Sequence, residues 1–184
     1  MTTIYNSAVR SFEAAADVLM SLQNLRTNLA AEAGRALDGR PKVLLDEGYN
    51  SLARDVGVCI PQDTRAEFAR AEGDGGLEFR TSGLEWMTIE GQLPRDMAAA
   101  TCYLDASVAF PMPAVADVFL REFKRDGSVV DSLHQEWTLG MDSASVCSLA
   151  LDGPADDVTA RRIIIHLRQP PHRFVIRTLA LTVI

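Results

Sequence analysis

The chain has 184 residues, with 18 Lys and Arg against 25 Asp and Glu and a formal net charge of -7. A hydrophobic content of 47% suits a well-packed protein and excludes wholesale disorder, because disordered chains lack the apolar surface to offset ordering entropy. No apolar run reaches the roughly 20 residues of a membrane helix, and the acidic balance argues against a general nucleic-acid binder, whose affinity comes from neutralising phosphates.

Length allows one domain, or one domain with an appendage. The N-terminal stretch lacks the basic start and compact apolar core of a signal peptide, so a cytoplasmic location is the default expectation. A fragment of a larger or exported protein would look the same. Cys59, Cys102 and Cys147 are widely spaced, which does not indicate a structural zinc site. Cys102 and Cys147 read as small buried hydrophobes inside strands, with a disulfide between them left open.

Residues 1–40 read as an N-terminal amphipathic helix, best defined over 7–37 and capped by Ser7 or Ser11. Phe12, Leu19, Arg26 and Ala33 recur every seven residues, and Ala15, Leu22, Leu29 and Ala36 form a companion row. That alternation is a helical packing seam, widened by Val18 and Leu25. The helix is expected to oligomerise or link, through Phe12, Leu19, Leu22 and Leu29. The alternative is packing on the sheet of its own domain.

Residues 41–76 read as a connecting segment with local structure. Lys42–Leu45 suits a short strand, 49–54 a helical turn, 57–61 an extended stretch and 64–71 a short helix closed by the glycines at 73–76.

From 77 to 184 the signals are those of strands. Residues 77–80 and 84–91 alternate, and Cys102, Leu104, Ala106 and Val108 share one face. Asp126-Gly127 between apolar runs predicts a hairpin. Further strands fall at 133–139, 144–151, 159–168 and 173–184, with a parity shift between Ile176 and Leu179 that suits a bulge. About eight strands without an intervening long helix predict an antiparallel β-sandwich, mainly β in class, preceded by the long helix.

The order of features over 77–184 resembles a carbohydrate-binding jelly roll of the galactose-binding-like kind. The resemblance rests on the run 101–130 and on the final pair, Arg161–Arg168 followed by Pro170–Leu181. It implies a sandwich that binds glycans through exposed aromatics and polar loop groups, often with calcium.

Trp86 and Trp137 are the two tryptophans, and each shares parity with apolar neighbours, which favours a core position over sugar stacking. If exposed, either ring can stack on the C–H face of a sugar, with Glu85, Glu90, His134, Gln135 and Glu136 supplying polar partners. Tyr103 alternates away from Cys102 and Leu104 and is a further ligand candidate. After Asp157 there is no acid but five arginines, and Arg161, Arg168, Arg173 and Arg177 would gather if 161–168 and 173–180 paired as a hairpin. Such a cluster would take an anionic ligand; a solvated face balanced by nearby acids is the favoured alternative. Asp152, Asp156 and Asp157 are candidate calcium ligands on one loop, against a plain polar surface loop. No nucleophile elbow or glycine-rich phosphate loop occurs. The leading reading is therefore a non-catalytic binding module, with a glycan as ligand. The alternatives are a structural or assembly protein that uses the sandwich face and helix against protein partners, and a sugar-active enzyme.

Overall fold

Period-two alternation of buried and exposed residues governs most of the chain. The computed structural model describes residues 2–73, 75–94, 97–98 and 100–184, and within its first helix the side chains of residues 5–21. Helix α1 (Thr2–Asn24) is followed by strand β1 (Arg26–Asn28), the short helix α2 (Leu29–Gly34) and a 3-10 turn at Arg35–Leu37. Four strands come next: β2 (Lys42–Leu45), β3 (Gly48–Ala53), β4 (Val56–Ile60) and β5 (Ala66–Arg70). Eight more complete the chain: β6 (Leu77–Thr81), β7 (Trp86–Leu93), β8 (Ala100–Ala109), β9 (Ala114–Lys124), β10 (Val129–Leu139), β11 (Asp142–Leu151), β12 (Val158–Arg168) and β13 (Arg173–Val183).

The last eight strands pair as nested antiparallel ribbons: β9 with β10, β8 with β11, β7 with β12 and β6 with β13. Folding that ribbon over itself produces the two sheets of a jelly roll. One sheet runs β11-β8-β13-β6-β5-β2, with β1 also on β13, and the other runs β10-β9-β12-β7-β4-β3. Between them lies an apolar core that includes Phe68, Phe79, Met87, Leu104, Ile163 and Phe174. The expected β-sandwich is thus the observed fold. Its Asp126-Gly127 hairpin forms as the sequence predicts: Gly127 takes φ +86°, and Asp126 Oδ1 accepts from both the main-chain N and Oγ of Ser128. The bulge in β13 lies between Ile176 and Thr178.

Two expectations are corrected. The continuous helix over 7–37 is replaced by a helix that starts at Thr2 and stops at Asn24. The next residues leave the helix because β1 pairs with β13 and the Arg26 guanidinium reaches both carboxylate oxygens of Asp105, the shorter contact being 2.6 Å. Asn28 then caps α2 by accepting from the Ala31 N–H at 3.0 Å. Leu29, expected on the oligomerisation seam, is consequently a core residue at 1% exposure.

The helical readings of 49–54 and 64–71 are also corrected. Both are strands, β3 and β5, and β5 alternates Ala66 and Phe68 inward. Residues 42–70 extend both sheets at one edge: β5 and β2 continue outward from β6, and β4 and β3 from β7. They were legible as a connector only because each strand is short and gains its stability from a neighbour already in place.

Candidate functional site

The outward face of the β10-β9-β12-β7-β4-β3 sheet is paved by side chains of one parity. Trp86, Thr88 and Glu90 come from β7, Cys59 from β4, His166 from β12, and Phe119 and Arg121 from β9. Together they line a cleft of about 330 Å³. The strand register explains the convergence: Thr88 lies opposite both Cys59 and His166, and His166 opposite Asp117.

Thr88, Glu90 and Phe119 are buried and form the floor, while Trp86 and His166 are half-buried. The Trp86 and His166 rings meet edge to face with centroids 5.8 Å apart. Burial is the main cause holding the His166 imidazole below its ordinary range, with nearby Arg168 and Arg121 acting in the same direction against Asp117. Burial likewise pushes the Cys59 thiol up, reinforced by the Glu90 charge.

A charge network borders the cleft. Glu90 accepts from Thr88 Oγ1 at 3.1 Å and from Arg162 Nη1 at 2.9 Å. The Arg162 guanidinium lies over the Tyr49 ring at 4.5 Å and the Phe123 ring at 5.1 Å. Gly57 makes room for this arrangement, since a Cβ there would run into the Tyr49 ring. Arg121 donates twice to Asp131, at 2.8 and 2.7 Å. That bidentate pair lowers the Asp131 carboxyl and raises Arg121. His134 stacks on Phe119 at 4.7 Å, with its Nδ1 3.1 Å from Asp117 Oδ2. Arg168 approaches the same carboxylate at 3.8 Å.

The structure separates several residues that the sequence groups. Trp86 leaves the core position favoured by its parity with Leu84, because Leu84 precedes β7 and lies outside its alternation. Trp137 is a core residue at 4% exposure, and its Nε1 meets no partner among the described residues. It is therefore no ligand contact. Tyr103 is exposed, but on β8 in the opposite sheet. His134 borders the cleft's floor through Phe119, and Glu136 is exposed on the edge strand β10.

The arginine cluster does not form. Strands β12 and β13 lie in different sheets, so the hairpin that would gather the arginines is absent. Each arginine has its own carboxylate instead: Arg161 with Glu122, Arg162 with Glu90, Arg168 with Asp117, Arg173 with Glu78 and Arg177 with Asp142. The aspartate loop is likewise held by cations. Lys124 pairs with Asp157, Arg125 donates to the Asp156 carbonyl and Arg161 to the Asp152 carbonyl. Among the described residues no group of three or more His, Cys, Asp and Glu side chains is arranged to hold a metal ion.

Sequence reasoning missed Cys59, Thr88, Phe119, Arg121 and His166. Their outward parity was available strand by strand. Which strands lie side by side was not, and Tyr49 sat in a segment read as helical.

No family model matches the chain, and no curated protein matches it. Solved structures similar to it include the CBM22-2 xylan-binding domain of Paenibacillus barcinonensis Xyn10C, at 10% identity over 69% of this chain and 91% of that one, with a TM-score of 0.49. Another is the family 11 carbohydrate-binding module of Clostridium thermocellum in complex with a β-1,3-1,4-mixed-linked tetrasaccharide, at 14% identity over 77% and 95% of the two chains, TM-score 0.43. A third is the enzymatically active domain of tailspike protein 4 of bacteriophage CBA120, at 10% identity over 86% of this chain and 21% of that one, TM-score 0.43. At these TM-scores the likenesses carry no argument, and the jelly roll stands on the strand pairing of the chain itself.

Proposed function

We propose that the chain is a non-catalytic glycan-binding module whose ligand lies in the cleft of the six-stranded sheet. The observation that carries this reading is the Trp86 ring, half-buried at the cleft wall above the polar floor of Thr88 and Glu90. A sugar ring offers its C–H face to an apolar plate and its hydroxyls to fixed hydrogen-bonding groups, and the cleft sets both side by side.

The charge pattern favours a neutral glycan. The three guanidinium groups of the face, Arg121, Arg162 and Arg168, each face a carboxylate. A uronic acid or phosphate would have to share a guanidinium with a carboxylate that already neutralises it. The pairs also fix the side chains that border the cleft, which lowers the ordering cost of binding.

Affinity electrophoresis and calorimetry with neutral soluble polysaccharides test the reading, alongside uronic-acid polymers of similar length. Binding of a neutral polymer that disappears in Trp86→Ala supports it. Silence of the folded protein across neutral glycans removes it, and preference for the acidic polymer overturns the charge assignment.

A further inference from the structure

Helix α1 stands apart from the sandwich. From Tyr5 to Ser21 its residues are exposed, with Val9 alone partly covered. Tyr5, Phe12 and Leu19 expose 71%, 77% and 61% of their surface, and they recur at intervals of seven residues. Val18, at 59%, lies beside this seam. Helices in proteins draw most of their stability from packing an apolar face rather than from intrinsic propensity.

The charges sit on the other side. At about 100° per residue, Arg10, Glu13 and Asp17 fall roughly 100–160° around the helix from Phe12. They lie away from the seam and its flanks, so identical helices laid along it meet no like charges. We propose that α1 is the self-association element of this chain and that its partner is the same helix of further copies.

Three features favour that occupant. Tyr5, Phe12 and Leu19 repeat at the seven-residue interval at which a second helix, coiling about the first, returns its own side chains. Helix α1 carries one basic residue, Arg10, so it lacks the cationic face that attracts an anionic bilayer. Charges beside a seam are what direct a helix to a different partner. With none there, nothing opposes pairing with an identical copy, which every molecule supplies at equal concentration. The repeat Tyr5–Leu19 spans 14 steps, or about 21 Å at 1.5 Å per residue. Two or more clefts joined this way would hold a polymer by avidity.

The test is the solution mass of the full chain, by light scattering and sedimentation over a wide concentration range. The expected result is a multiple of 20.1 kDa. Phe12→Glu and Leu19→Glu should each weaken association by about tenfold or more, with an unchanged near-ultraviolet signal from the sandwich. Arg10→Glu, on the polar side, should leave the mass as it was. A monomer at every concentration overturns the proposal. So does an oligomer that persists in both seam variants, which would place the contact elsewhere. Sedimentation of the monomer with phosphatidylcholine–phosphatidylglycerol vesicles would assign the helix to a lipid surface instead.

Discussion

The rings of Trp86 and His166 meet edge to face, 5.8 Å between centroids, across the paired strands β7 and β12. This contact holds the indole at the cleft wall while leaving part of it open. Trp86→Ala should therefore weaken glycan binding at least tenfold, about 1.4 kcal/mol, at small cost to folding. Trp137→Ala should do the reverse. Its ring is buried between the sheets, and its removal should cost about 3–5 kcal/mol of stability with no change in cleft affinity per folded molecule. Calorimetry and denaturant titration of the two variants separate the roles.

His166 links the cleft to pH. Its folded value lies below the ordinary 6.5 because burial disfavours the imidazolium. Above 6.5 the imidazole is neutral in both folded and unfolded chains and costs nothing. As pH falls below that value the unfolded chain takes up the proton first, so stability is lost until the depressed folded value is reached. Melting temperature should accordingly fall through this window, and His166→Gln should flatten the fall. An NMR titration of the His166 ring should give a midpoint below 6.5. A midpoint at or above it would contradict the burial argument.

The three thiols should react in a fixed order. Cys102 is pushed up to about 12 by burial, with the neighbouring Cys147 adding to the shift, and burial raises Cys147 as well. Both are free and face the core. Cys59 is partly exposed at the cleft. Iodoacetamide should modify Cys59 slowly in the native protein and reach the other two only on unfolding. A bound glycan should slow Cys59 further. Equal labelling of Cys102 and Cys59 in the native state, read by mass spectrometry, would count against this arrangement.

Gly57 tests the platform beside the cleft. A methyl group there meets the Tyr49 ring, so Gly57→Ala should turn Tyr49 away from Arg162. The lost cation–π contact is worth about 0.5–1 kcal/mol, and denaturant unfolding should show a loss of that size. Glu90→Gln should cost more, roughly 1.5–3 kcal/mol, because Arg162 would lose the charge that its hydrogen bond depends on.

Much of the sandwich is legible because strand alternation is local. Cys102, Leu104, Ala106 and Val108 must share a face whatever they pair with, and Ile163, Ile165 and Leu167 likewise. The Asp126-Gly127 turn is equally local. Short elements are where that logic weakens. Residues 49–54 and 64–71 admit a helical reading by composition, and only contact with β4 and β6 makes them strands. In the N-terminal helix, the seven-residue pattern runs unbroken through Arg26 and Leu29. The break at Asn24 comes from partners far along the chain, Asp105 and β13.

The candidate site divides the same way. The sequence by itself determined the alternation within most strands, an amphipathic helix near the N-terminus and the strand-rich region from residue 77 onward. Tertiary structure decided which strands are neighbours. It set Trp86 of β7 beside His166 of β12, and placed Arg168 and Arg173 in opposite sheets. The physical reason is range: side-chain direction follows from backbone geometry within two residues, whereas neighbourhood depends on burying a core contributed by the whole chain.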